Sequence, residues 1–229
     1  MNQAIPPERA AWLAGLPILA TALYYALPSD WQSHRALHFL PQATAYTALA
    51  LWVARNTDII GRLGLRLEQL NEGLRWGTVT GLVLGAANTV IILWLVPRLG
   101  HDIGFLRETP HAHLPPALML PWLILLIAVF VEINFRGFLL GRLLALAERT
   151  APALPPPLAA GAAVAVSALT FSFDPFMVVT FQHLHWIAVW DGMIWGLLWV
   201  RLGNLYVPIV AHAIEVMMMY SVLRKVLIS

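Results

Sequence analysis

Hydrophobic positions gather into seven long runs, each bounded by Pro, Gly or Arg. They extend roughly from Ala10 to Leu27, Leu37 to Ala54, Gly77 to Val96, Pro116 to Leu146, Pro157 to Phe173, Met177 to Val200 and Leu205 to Leu227. Runs of this length predict transmembrane helices, because a hydrocarbon core of ~30 Å is crossed by ~20 apolar residues in helical rise. Between the second and third runs, Ile59, Ile60, Leu63, Leu67, Leu70 and Leu74 recur at helical spacing among Arg62, Arg66, Glu68, Glu72 and Arg75. That pattern predicts an amphipathic helix over Asp58 to Trp76, lying in the membrane interface or connecting two spans through water. The expected fold is all-α: a polytopic membrane helical bundle of about seven transmembrane helices plus one interfacial amphipathic helix. All 229 residues are expected to form one membrane domain.

Composition supports the pattern. Apolar residues make up 59% of the chain and charged ones 11%, against ~25% charged in an ordinary soluble domain, and mean hydropathy is +0.72. So few charges cannot give a globule of this size a polar surface, so the lipid bilayer is the expected partner. Net charge is +2, Lys225 is the sole lysine, and no basic run is dense enough for a nucleic-acid footprint, so no nucleic-acid partner is expected. The absence of Cys excludes disulfides, thiolate metal sites, a cysteine nucleophile and lipidated cysteines. The first run has no small-residue cleavage site and reads as a retained helix. On alternate sides of the predicted spans, Arg9, Arg55, Arg62, Arg66, Arg75, Arg142, Arg149 and Arg201 face Arg35, Arg98, Arg107, Arg224 and Lys225. The excess on the first side predicts a cytoplasmic N-terminus.

An ionisable group in hydrocarbon costs ~2.5 to 3.5 kcal/mol on insertion scales, so those inside spans are the first candidates for function. They are Glu132 and Arg136 in the fourth run, Asp174 after the fifth, His183, His185 and Asp191 in the sixth, and His212 and Glu215 in the seventh. Glu132 and Arg136 stand four residues apart, on one face of an α-helix, where they can neutralise each other as a structural ion pair. Arg142 is expected to snorkel to the interface. His212 has Glu215 at i+3 on roughly the same face and serves either packing or catalysis. His183 and His185 point ~200° apart on a helix and could share a metal only across a break. His101, Asp102, His111 and His113 have ligand chemistry without ligand spacing and read as a solvated loop, so neither a metal nor a cofactor is expected.

The stretch Val131-Glu132-Ile133-Asn134-Phe135-Arg136-Gly137-Phe138-Leu139, followed by Gly196-Leu197-Leu198-Trp199-Val200-Arg201-Leu202-Gly203-Asn204-Leu205-Tyr206-Val207-Pro208-Ile209-Val210-Ala211-His212-Ala213, resembles the CAAX-protease and bacteriocin-processing family of intramembrane proteases. The resemblance spans about Trp122 to Met219. The family's motifs are E-E-x-x-x-R-G, F-x-x-x-H and H-x-x-x-N, on successive helices. The resemblance implies proteolysis within the membrane: the first glutamate and the second-motif His activate water, while the third-motif His and Asn stabilise the oxyanion.

Carried over residue by residue, the first glutamate falls on Val131, the second on Glu132 and the arginine on Arg136. Aligned through Phe171, the second motif places Pro175 at its His, and the third keeps His212 but has Val216 at its Asn. The resemblance thus implies a protease-like fold with most catalytic positions replaced, binding a membrane-embedded or lipidated peptide or a partner helix. Phe181-Gln182-His183-Leu184-His185 also fits F-x-x-x-H, which leaves open an active endopeptidase rearranged around Glu132, His185 and His212, with Arg136 retained beside them. A third class, a small transporter or channel, would use Glu132, His185, Asp191 and His212 as a proton or ion path.

Overall fold

The computed structural model describes residues 7–227, and every regular element among them is helical. After a 3-10 turn at Ala11–Ala14, the principal α-helices are α1 (Gly15–Ala26), α2 (Leu40–Val53), α3 (Leu70–Val90), α4 (Ile124–Glu132), α5 (Gly141–Thr150), α6 (Pro156–Ser172), α7 (Pro175–Phe181), α8 (Ile187–Leu202) and α9 (Tyr206–Leu227). Helical stretches long and apolar enough to cross a membrane are Ile59–Arg98, Pro116–Thr150 and Tyr206–Leu227. The pair Pro156–Ser172 and Pro175–Leu184, bent by 57°, makes a fourth when taken together. The protein is therefore helical and membrane-spanning in character. α1 and α2, with 12 and 14 residues, are shorter than the ~20 residues a perpendicular span requires.

Two predicted elements are broken. The amphipathic segment Asp58 to Trp76 is not one helix: Ile59–Leu63 ends at Gly64, whose φ of 78° is left-handed. A 3-10 turn at Leu67–Gln69 follows, and α3 begins at Leu70. Glycine supplies that conformation without a Cβ penalty and so stops the helix where hydrophobic periodicity alone would continue it. The run Met177 to Val200 is likewise interrupted, by Gln182 at φ 47° and the turn Gln182–Leu184, so His183 and His185 stand on the break. The preceding short helix has its own start, with Pro175 at its first position and the Asp174 carboxylate accepting the Phe176 N–H at 3.0 Å.

The chain divides into two compact units, Met1–Arg66 with Ile133–Gly203 and Leu67–Glu132 with Asn204–Ser229. In the first, α6 lies against α8 where Gly192 and Gly196 meet Ala168 and Val164. The Trp199 indole also donates to the Leu63 carbonyl at 3.3 Å.

In the second unit, α3 presents Gly73, Gly77, Gly81 and Gly85 to α9. A Cβ at Gly77 would stand 2.6 Å from the Val210 Cβ, and one at Gly81 would stand 2.6 Å from the Ala211 carbonyl oxygen. Lipid supplies no hydrophobic force between helices, so this association depends on close van der Waals packing, and removing side chains from one face permits it. Asn204 ties the two starts together, donating to the Gln69 carbonyl at 2.8 Å and accepting the Tyr206 N–H at 3.0 Å.

Gly81→Val is therefore expected to destabilise by about 1 to 3 kcal/mol or more through overpacking. Gly161→Ala is the control, because nothing lies within 4 Å of its Cβ position, and removing a helix glycine should stabilise by up to about 1 kcal/mol. Thermal melting of both variants in detergent decides, and equal melting temperatures would refute the glycine face as a packing requirement.

Candidate functional site

α4 ends on Glu132, whose side chain is fully buried. Its Oε1 lies 2.8 Å from Nδ1 of His212 on α9. An ionised carboxylate can only accept, so with Glu132 charged the proton sits on Nδ1 and Nε2 is the acceptor end of the ring. One turn along α9, Glu215 accepts from the Asn88 Nδ2 group at 2.7 Å, and both residues are buried. The Gly85 approach sets this second pair, because the Cβ it lacks would lie 3.2 Å from the Glu215 Cα. Two carboxylates, an imidazole and an amide thus form two hydrogen-bonded pairs within one unit. Such a set can hold or pass a proton and can orient a base.

In the first unit, Arg136 is also fully buried. Its guanidinium lies 4.9 Å from the centre of the Phe171 ring and 5.0 Å from that of Trp195, an arrangement that favours a desolvated cation. Gly192 leaves room for it, since a Cβ there would come within 3.1 Å of Nη2. Arg136 belongs to a π-helix, Ile133–Leu140, where hydrogen bonds step by five residues. The shared face expected for Glu132 and Arg136 assumed α-helical geometry, and that geometry does not continue through residue 136. The Phe135 carbonyl in this π-helix accepts from Ser167 Oγ at 2.8 Å.

The remaining candidates are placed as follows. His185, half-buried in the first unit, has Nδ1 against the Gln182 carbonyl and its ring edge-on to Phe173 at 5.2 Å. Asp191 is buried on α8. Asp174 caps α7 and takes a hydrogen bond from Gln42 at 3.0 Å. Val131 and Val216 are half-buried, and Pro175 is buried at the start of α7.

Arg142 does not snorkel. It is 4% exposed, paired with Glu8, and lies 4.2 Å from the Trp52 ring centre, because an internal carboxylate satisfies it where water would otherwise be needed. In the loop, Asp102 folds back to accept the Gly104 N–H at 2.9 Å, and burial holds the His111 imidazole below its ordinary pKa. Among the described residues, no group of three or more His, Asp or Glu is arranged to hold a metal.

Of the four expected site residues, the structure joins Glu132 to His212 and places Arg136 and His185 in the other unit. Asn88 was not foreseen. A polar residue in an apolar run beside glycines at four-residue spacing, Gly77, Gly81 and Gly85, is the signal that marks it.

Residues 113–218 match the family described as Type II CAAX prenyl endopeptidase Rce1-like. No curated protein and no solved structure matches the chain. The match contains Glu132, Arg136, His185 and His212 and nearly coincides with the stretch from Trp122 to Met219 on which the resemblance was drawn. Over residues 113–218, just under half of its length, this chain is thus similar to the Rce1-like CAAX prenyl endopeptidase family.

Proposed function

We propose that the protein is a degenerate member of this family that binds a membrane-embedded or lipidated peptide, or a partner helix, without cutting it. The observation that carries the reading is the state of Glu132: its carboxylate is wholly buried and held by His212 at 2.8 Å. Meanwhile the positions given by resemblance to the base, its partner and the oxyanion amide are Val131, Pro175 and Val216. Valine cannot take a proton or hold an oxyanion, and proline has no side-chain donor. Loss of a general base forfeits ~10² to 10⁴ in rate and loss of an oxyanion donor ~10² to 10³ more. A retained Glu–His pair serves such a protein by neutralising two polar groups inside the bundle.

One specific observation favours a second reading, an active endopeptidase rearranged around Glu132 and His212, with His185 in support. The contact at Nδ1 orients the imidazole against a carboxylate, as a carboxylate-oriented general base requires.

The two readings part in one set of variants. His212→Leu removes the 2.8 Å partner of the Glu132 carboxylate and should cost about 3 to 5 kcal/mol, and adding Glu132→Leu should recover part of that loss. Glu132→Gln keeps an acceptor for Nδ1 and should cost only about 1 kcal/mol. Melting in detergent and turnover of a membrane-embedded reporter are measured for each. Binding of the peptide reporter without turnover in the wild type supports the degenerate reading. A wild type that cleaves, beside a stable Glu132→Gln that does not, would establish the enzyme instead.

Restoring Val131→Glu, Pro175→His and Val216→Asn together is expected not to create a proficient protease, because a placement error of about 1 Å can cost ~10² in rate. Pro175 also starts α7, so its replacement disturbs the helix that would carry the new imidazole. Robust cleavage of a prenylated peptide by the triple variant would contradict this.

A further inference from the structure

The first unit holds a second buried polar cluster, centred on a residue outside the stretch that matches the family. Its centre is Glu8, in the irregular segment before the turn at Ala11–Ala14. Oε1 of Glu8 accepts the Trp52 indole N–H at 2.8 Å and pairs with Arg142. Arg62 Nη1 lies 3.7 Å from Oε2, aimed there by a 2.9 Å hydrogen bond from its Nε to the Thr57 carbonyl. Arg149 holds the same residue through the Glu8 backbone carbonyl at 2.9 Å. The side chains of Arg62, Arg142 and Glu8 are 14%, 5% and 7% exposed.

A carboxylate is a poor match for this cradle. Its two strongest contacts fall on one oxygen, and the contact from Arg62 is an ion pair beyond hydrogen-bond length. Three guanidiniums converge on a residue carrying one negative charge. A phosphate monoester offers three terminal oxygens and up to two charges, the geometry and charge that forked guanidiniums recognise. Side-chain bonds tie the segment bearing Glu8 to the unit: Asn56 accepts the Arg9 N–H at 2.8 Å and donates to the Arg9 carbonyl at 2.9 Å.

We propose that Arg62, Arg142 and the Trp52 indole N–H form a phosphate-binding site that Glu8 occupies as an exchangeable plug. Its ligand is a terminal phosphate group, supplied by a phosphomonoester lipid headgroup or by free inorganic phosphate. Ligand entry expels the Glu8 carboxylate and releases the segment Pro7–Arg9 from Asn56. The cluster is independent of Glu132 and His212 and stands whichever reading of that pair holds.

Trypsin reports the release, because Arg9 is exposed while its backbone N–H and carbonyl are tied to Asn56. The full chain is placed in nanodiscs of phosphatidylcholine alone, with phosphatidic acid, or with phosphatidylglycerol at matched surface charge. A fourth sample is phosphatidylcholine with inorganic phosphate in the buffer. Cleavage after Arg9 should accelerate about tenfold with phosphatidic acid, with inorganic phosphate, or with both, since cleavage follows the population of the open form. Acceleration by phosphatidic acid alone identifies a lipid source, and acceleration by inorganic phosphate alone a soluble one.

Equal acceleration by phosphatidylglycerol would reduce the effect to surface charge and overturn the site. No acceleration in any sample would make Glu8 a permanent clasp and overturn it as well. A second measurement does not depend on release: inorganic phosphate should raise the melting temperature of Glu8→Gln several-fold more than that of wild type. That difference should vanish when Arg62→Gln is added. An equal shift in wild type and Glu8→Gln, or one that survives Arg62→Gln, would also refute the proposal.

Discussion

The near-contact of α3 and α9 is the constraint on which the second unit depends. Four glycines at four-residue spacing strip one face of α3, and Val210 and Ala211 come within a distance that any side chain would forbid. In hydrocarbon this closeness substitutes for the hydrophobic effect. It also fixes the chemistry, because the same face continues to Asn88 and sets its amide on Glu215. His212, one turn earlier on α9, is then free to turn toward Glu132. A buried carboxylate without a partner would cost several kcal/mol, so packing and polar pairing have to be achieved together.

The first unit meets the same requirement by different means. Arg136 lies between two aromatic rings, with Gly192 giving way to its guanidinium. Arg142 is covered by Trp52 and neutralised by Glu8. Aromatic faces suit a cation that has lost its water, since they offer negative potential without needing solvation themselves. Each buried cation thus has a local counterpart drawn from its own unit.

The apolar runs were legible because about twenty largely apolar residues in a row have few other uses. Glu132 and His212 were legible for the complementary reason, that a charge in such a run is costly and rare. Their pairing was not, because eighty residues separate them and each had a nearer partner in sequence, Arg136 at i+4 and Glu215 at i+3. Helical spacing brings those local residues to mind first, and it carries no signal of a contact between α4 and α9. The break at Gln182 falls on the polar cluster Gln182, His183 and His185, which the apolar residues on both sides absorbed into one run. Arg142 misled for a similar reason: an arginine near the end of a run normally reaches for water, and only the fold reveals a carboxylate from the N-terminal segment waiting inside.

α3 lies outside the stretch that matches the family, whereas α9 down to Met218 lies within it. Yet the surface of α9 from Tyr206 to Met218 is moulded to the bare face of α3. The segment that resembles the family is therefore not the segment that can stand alone. Cut out at the limits of the match, it would expose a flat helix face to lipid and leave the Glu215 carboxylate without the Asn88 amide. The likeness to the family falls on one half of a helix pair, and cohesion requires both halves.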